Sequence, residues 1–362
     1  MNMNKRNCRL DRIGRLMTAC SVTAALAACG GGGNPGTGAA AAPTSAPPPA
    51  PAPVAQSAGD LSSTVPPSTY PASSSKSSAY AALNAARLQG GFGTLAQSDA
   101  LDSEAQDQAD FIAANYTVPS GLGGVSFNGT ALESIQADGN ETGHVQLTTL
   151  PNQTHYVGYL PSDRATHFGY PSADVAESAV FGNWMADAGV TCVAELLQSP
   201  AHRQLLLDPR FRDFGVGIDS LPWNSDGSIR ASDCYIATAA RSYAYSATGQ
   251  ATAPSGWVGI YPPDGSTTSG RDDLHGHGFA PSVTVDSRLT LVVNSFTITD
   301  SSGQVVPTTL NMDALSTGMF ANWAFATPSA PLDAGGTYTV NFQGMAGSMA
   351  IAKVWRFATS PN

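Results

Sequence analysis

Between residues 30 and 78 the chain is built almost wholly from Gly, Ala, Pro, Ser and Thr, with one aromatic and two charged residues in 49 positions. Such a stretch cannot bury enough apolar area to offset the entropy of ordering it, so residues 29–78 are expected to form a disordered tether. Its coil dimension is roughly 40 Å, longer where the Pro-Ala run is extended. Whatever folds must then fold from residue 79 onward, a length that suits about two domains. No run approaches the roughly 18 consecutive apolar residues of a membrane-spanning helix, which argues against a polytopic membrane protein.

Ahead of the tether, Lys5, Arg6, Arg9, Arg12 and Arg15 precede a mildly apolar run, Leu16 to Ala28, with the length and flanks of a signal-peptide core. Beyond residue 29 the chain holds 12 basic against 26 acidic residues. A body so acidic, with no stripe of Lys or Arg, repels phosphate backbones, so nucleic acid is not an expected partner. Residues Leu26, Ala27, Ala28, Cys29 and Gly30 resemble the lipobox of bacterial lipoproteins. That resemblance implies a signal peptide over 1–28, a lipidated Cys29 as the new first residue and sorting to the outer membrane. The membrane is thus a partner through the N-terminal lipid, with multiple acyl chains on one residue sufficient for stable anchoring.

From residue 79 the patterning changes. Ser77 and Ser78 can cap a helix over Ala79 to Gln89 that Gly90 and Gly91 end. Leu101, Ala105, Ala109 and Ile112 recur at helical spacing from Ser98 to about Asn115. Residues 117–142 are Gly-rich and polar and read as loop; helices are expected over Asp174 to Ala188 and Thr191 to Gln198. Ser199-Pro200 is a cap and first-turn pair that starts a short helix with His202 in its first turn, while 214–218 and 234–240 read as strands. From 251 the text becomes short alternating runs, GWVGIY, SVTVD, LTLVVNSFTI, TYTVNF and IAKVWRF, separated by Asp-Gly, Ser-Gly and Gly-Gly turns. These indicate an all-β sandwich.

The first of these regions resembles the CAP superfamily of cysteine-rich secretory, antigen 5 and pathogenesis-related proteins. The resemblance rests on LNAARLQGGFGTLAQSDAL with AQDQADFIAANY, on GYLPSDRATHFGY, on Glu177, and on LLQSPAHRQLLLDPRFRDFGVGI. It implies an α+β fold, an α-β-α sandwich over 79–250 with a cleft lined by two His and two acids. Carried across, it gives His202 as the His before Arg203, Glu177 as the acid after Gly169-Tyr170, and His144 as the earlier His, with His155 close by as an alternative. The second acid would fall near Gln198 or Ser199, neither acidic, with Glu195 about a turn early. Residues 251–362, through PLDAGGTYTVNFQG and KVWRFAT, resemble bacterial Ig-like domains.

Two imidazoles and one carboxylate form a facial set that leaves positions open on zinc or another divalent ion. A helix N-terminus opposes protonation of His202 and so favours a ligand role. The same three residues also suit a hydrogen-bonded polar cluster. Asp163-Arg164 reads as an ion pair or cap fixing its turn, His167 as helix surface, and His275 with His277 as a solvated loop. No G-x-S-x-G, H-E-x-x-H, P-loop or C-x-x-C is present. With Cys8 and Cys20 in the signal and Cys29 lipidated, Cys192 and Cys234 remain as an exported pair expected to form a disulfide.

The functional expectation is a lipid-anchored extracytoplasmic module that binds a ligand or partner in a His/Glu-lined cleft, the Ig-like part serving as spacer or adhesive element. A divalent-metal hydrolase built on His144, Glu177 and His202, and a module for apolar ligands such as sterols or lipids, are the alternatives. Replacing Cys29 with Ser should release the protein from the membrane fraction and abolish lipid labelling; unchanged retention of the Ser variant would remove the lipoprotein assignment.

Overall fold

Helix α1 (Ser75–Gly90) starts where Ser74, in an extended conformation, accepts the Ser77 amide on its hydroxyl. Gly91 then ends it in the left-handed region at φ 83°. The computed structural model describes residues 61, 64–115, 126–127, 130–131, 144–146, 154–182, 188–222, 229–239, 256–268, 279–312 and 321–361. The signal segment, Cys29, the tether as far as residue 60, most of the 117–142 loop, His275 and His277 lie outside the described residues.

The ordered chain begins earlier than composition suggests. Leu61, Val65 and Tyr70 pack on the core, the Tyr70 hydroxyl donates to Asp102, and the Thr69 amide donates to Gln97 Oε1 at 2.6 Å. An average over a Pro- and Ser-rich window hides the one aromatic residue able to anchor its end.

Next come β1 (Ala96–Gln97), α2 (Asp99–Asn115), and the short pair β2 (Ser126–Phe127) and β3 (Thr130–Ala131). Then come α3 (Pro161–His167), β4 (Val175–Gly182), α4 (Ala188–Gln198), α5 (Pro200–Leu206), β5 (Asp213–Pro222) and β6 (Ile229–Ala239). The sheet order is β1-β5-β6-β4, antiparallel except for β1 beside β5. The segment expected as a helix over 174–188 is instead the strand β4. Its neighbours cover both faces, Glu177 being 6% exposed and Val180 1%, so the two-residue alternation that marks a half-solvated strand is lost.

Helices cover both faces of this sheet, and two observations fix which. Cys192 of α4 is joined by a disulfide to Cys234 of β6, so Cys234 and its cross-strand partner Val180 face α4. The bond closes a loop 42 residues apart in sequence, for which the chain-entropy model gives about 4 kcal/mol as an upper figure. On the other face a Cβ built at Gly217 would sit 2.1 Å from the Ala105 carbonyl oxygen of α2, and one at Gly215 would sit 2.1 Å from Leu101. Only glycine allows α2 to lie this close, so the alternation in FGVGI is a packing requirement of the helix above it. Gly215 pairs with Ala237, which pairs with Glu177, so the Glu177 side chain also enters the α2 face.

Among the described residues that remain, the regular elements are all strands: β7 (Val258–Tyr261), β8 (Ser266–Thr268), β9 (Ser282–Val285), β10 (Leu291–Thr299), β11 (Val305–Val306), β12 (Thr308–Asn311), β13 (Trp323–Pro328), β14 (Thr337–Ala346) and β15 (Met349–Thr359). They form two sheets, β11-β10-β14-β15-β8 and β12-β13-β9-β7, antiparallel but for β8 beside β15. The long hairpin from β14 to β15 alternates as its sequence predicts, with Tyr338, Val340, Phe342, Ile351, Trp355 and Phe357 turned inward. The whole molecule is therefore an α+β mixture.

The clearest consequence concerns Gly217. Gly217→Ala forces backbone against backbone and should cost about 1–3 kcal/mol or more, read as a lower urea midpoint at unchanged slope. An unchanged midpoint would contradict the close approach of α2 to β5.

Candidate functional site

Helix α2 buries Leu101, Glu104, Ala105, Gln108, Ala109, Phe111, Ile112 and Asn115. The spacing that selects the apolar members also places Glu104 and Gln108 in the core-facing stripe. A buried carboxylate needs a positive partner, and Arg164 of α3 supplies it. The turn before α3 is set by Pro161 in its first turn and by Asp163, whose carboxylate accepts the Leu160 amide at 3.0 Å. Arg164 is thereby pointed inward, its side chain fully buried.

The Arg164 guanidinium meets both carboxylates and two carbonyls. Nε donates to Glu104 Oε1 at 3.1 Å, Nη2 lies 2.9 Å from that oxygen and 2.6 Å from Glu177 Oε2, and Nη1 donates to the carbonyls of His144 at 3.2 Å and Tyr159 at 3.4 Å. The second oxygen of Glu177 lies 2.8 Å from His144 Nδ1. That contact fixes the tautomer, with Nδ1–H donating to the carboxylate. Glu177 is almost wholly buried, while the His144 side chain keeps 19% of its surface exposed.

A further set of side chains holds the His144 segment in place. Gln146 donates to Asp107 at 2.6 Å and accepts the amides of Val157 at 2.8 Å and Gly158 at 3.3 Å. Asn115 pairs with both the amide and the carbonyl of Thr154, at 3.1 and 2.9 Å. The next residue, His155, is exposed and adopts a left-handed φ of 60°.

Protonation divides the two carboxylates. Burial pushes Glu104 well above the ordinary glutamate value, the Glu177 charge adds to that push, and Arg164 offsets only part of it. Burial also pushes Glu177 upward, but Arg164 and the His144 hydrogen bond outweigh it and leave Glu177 below the ordinary value. A side-chain hydrogen bond between the two carboxyl groups acts in the same sense, raising Glu104 and lowering Glu177. Glu104 is therefore the carboxyl group that holds a proton more readily, and Glu177 the one kept ionised against Arg164.

Of the residues expected from sequence, the structure brings His144 and Glu177 together. His202 is half-buried on α5, a helix built into the α1/α4 layer, where the Leu206 carbonyl accepts Arg87 of α1 at 2.6 Å. Among the described residues no group of three or more His, Cys, Asp or Glu is placed to share a metal ion. The donor chemistry agrees: both oxygens of Glu177 are engaged, and one has a guanidinium at 2.6 Å that would repel a divalent cation. Glu177 is therefore an orienting partner of the His144 ring in this structure, and the His144 Nε2 is the ring nitrogen left facing outward from that contact. Gln198 folds back on the Ala194 carbonyl and Ser199 is buried, so the second carboxylate beside Glu177 comes from Glu104. Sequence reading missed it, although a Glu in the core stripe of an amphipathic helix was a visible signal. His167 ends α3 and is exposed, as expected.

Compared with known proteins, the chain matches no family model and no curated protein.

The pH behaviour follows with opposite signs. A raised Glu104 contributes stability that is full below about pH 4.3 and is lost as pH rises through its folded-state value; a lowered Glu177 contributes stability present above about pH 4.3 and lost as pH falls below it. Glu104→Gln cannot ionise, so its stability deficit against wild type should shrink as pH rises. Glu177→Gln leaves Arg164 poorly compensated and should cost about 3–5 kcal/mol near neutral pH. Urea midpoints measured across pH would contradict this if wild type and Glu104→Gln ran parallel.

Proposed function

We propose that the chain is a lipid-anchored extracytoplasmic protein of CAP type, whose cleft around His144 binds a ligand or protein partner without metal chemistry, followed by an Ig-like β-sandwich. The lipobox-like text supports the anchor. The four resembling segments fall on α1 and α2, α3, β4 and α5, and a sheet covered by helices on both faces suits the sandwich that the resemblance implies.

One observation carries the choice of binding over hydrolysis. Glu177 has both oxygens committed, one to Arg164 and one to His144. It is thus a holder of an oriented imidazole, with each oxygen already turned to a neighbouring side chain and the whole group buried away from water. His144, partly exposed and fixed through its backbone as well as its ring, is the group that a bound molecule meets.

Zinc chloride titrated into the full chain by calorimetry, with a panel of ester, peptide and phosphodiester substrates assayed with and without chelator, tests the choice. The binding reading expects no stoichiometric zinc uptake that depends on Glu177 and no turnover that chelation abolishes. One zinc per chain, lost alike in His144→Ala, Glu177→Gln and His202→Ala, with chelator-sensitive hydrolysis, would establish the metal hydrolase instead.

A further inference from the structure

The β-rich part reads from sequence as a separate module, a spacer hung from the helical part. Its contacts say otherwise. Phe92, in the turn after α1, is fully buried between two indoles of the β-rich part. It stacks on Trp323 at 6.1 Å and 7°, and meets Trp257 edge-on at 5.8 Å and 79°. Trp323 in turn stacks on Phe325 at 5.7 Å, continuing the aromatic row into β13. The Trp257 Nε1–H donates to the Gly91 carbonyl at 2.8 Å. Backbones approach closely as well: a Cβ at Gly259 would sit 2.6 Å from the Phe92 ring, and one at Gly90 would sit 2.8 Å from the Ile260 carbonyl oxygen.

A second, polar contact lies beside the first. Arg203, the residue after His202, is fully buried. Its guanidinium donates to the carbonyls of Leu197 at 2.6 Å and Gln198 at 2.9 Å, and across the junction to the Ala280 carbonyl and to Ser282 Oγ at 3.5 Å. The Tyr261 and Phe279 rings flank it, their centroids 4.6 and 5.1 Å from Cζ. Buried apolar side chains from both parts belong to one contiguous core, and both parts fall in a single compact unit.

We propose that the β-rich part is the built-in partner of the Phe92 turn and of the Ser199–Arg203 segment, so that the two parts fold and unfold as one cooperative unit. Intrachain domains move relative to each other by default unless the interface is extensive and apolar. Here an aromatic side chain is enclosed by the other part, and a buried cation depends on that part for a carbonyl and for both ring faces. The Ser199–Arg203 text is accordingly a docking element, with Arg203 as its positioning residue, and the orientation of the β-rich part is fixed by it.

Hydrogen exchange of the full chain, followed by mass spectrometry over rising urea, resolves peptides of β5 and β6 from those of β14 and β15. The slowest amides of both hairpins should lose protection at the same urea concentration. In Phe92→Leu and Arg203→Lys, both midpoints should move down together by equal increments. Separate midpoints in the wild type, or a Phe92→Leu shift confined to the β5–β6 peptides, would overturn the proposal. The wild-type curves decide the matter even if one variant fails to fold.

Discussion

Three guanidinium groups taken wholly out of water set the terms for the rest of this structure. Arg87, Arg164 and Arg203 are among its largest fully buried side chains, and a buried cation is tolerated only when its donors are met. Each therefore dictates where several segments must lie. Arg87 gathers the carbonyls of Phe92, Gly93, Leu206, Asp208 and Phe211, tying the end of α1 to the chain after α5. Burial, assisted by the positive charge of Arg212, pushes its pKa down to about 9, so it remains a cation at neutral pH. Arg203 does for the junction with the β-rich part what Arg87 does within the helical layer. Arg164 meets two carboxylates as well, and beside it the polar interior reaches the partly exposed imidazole of His144.

That difference explains why the functional cluster has the shape it has. Two carboxylates and one guanidinium in a dry interior cannot all keep their charges without excess negative potential. The upward push on Glu104 relieves that excess, and the downward push on Glu177 keeps it the ionised member facing His144. The imidazole is thereby oriented by a carboxylate that is itself immobile, and by an arginine that also grips the His144 carbonyl. Arg164 thus supplies the positive charge that Glu177 meets inside the protein, and it ties that charge to the segment carrying His144.

Much of this was legible in the sequence where periodicity had one dry and one wet face. Helix α2 spans 99–115 against an expectation of 98–115, and the inward residues of β14 and β15 are those that alternation selects. Legibility failed where both faces are covered: β4 read as helix because Ala176, Glu177, Ser178 and Val180 show no polar side. It failed again where a long-range partner was decisive. Glu104 is ordinary on a helix until Arg164, 60 residues later, is brought against it. The cap expected of Asp163-Arg164 is made by Asp163 on the Leu160 amide, while Arg164 turns inward to carboxylates the local text does not announce. Phe92 likewise gives no local sign that Trp257 and Trp323 will enclose it. The cysteine pair, by contrast, needed only arithmetic.

The account turns on the charge state of the Glu104–Arg164–Glu177 group, and infrared difference spectroscopy reads that state without perturbing ligand or fold. Spectra of the full chain at neutral pH, wild type minus Glu104→Gln, should contain the carbonyl stretch of a protonated carboxylic acid, insensitive to salt and slow to shift in heavy water because the group is buried. A difference spectrum showing only the bands of an ionised carboxylate would mean that both acids are charged, and would contradict a cluster closed by a single proton and a single arginine.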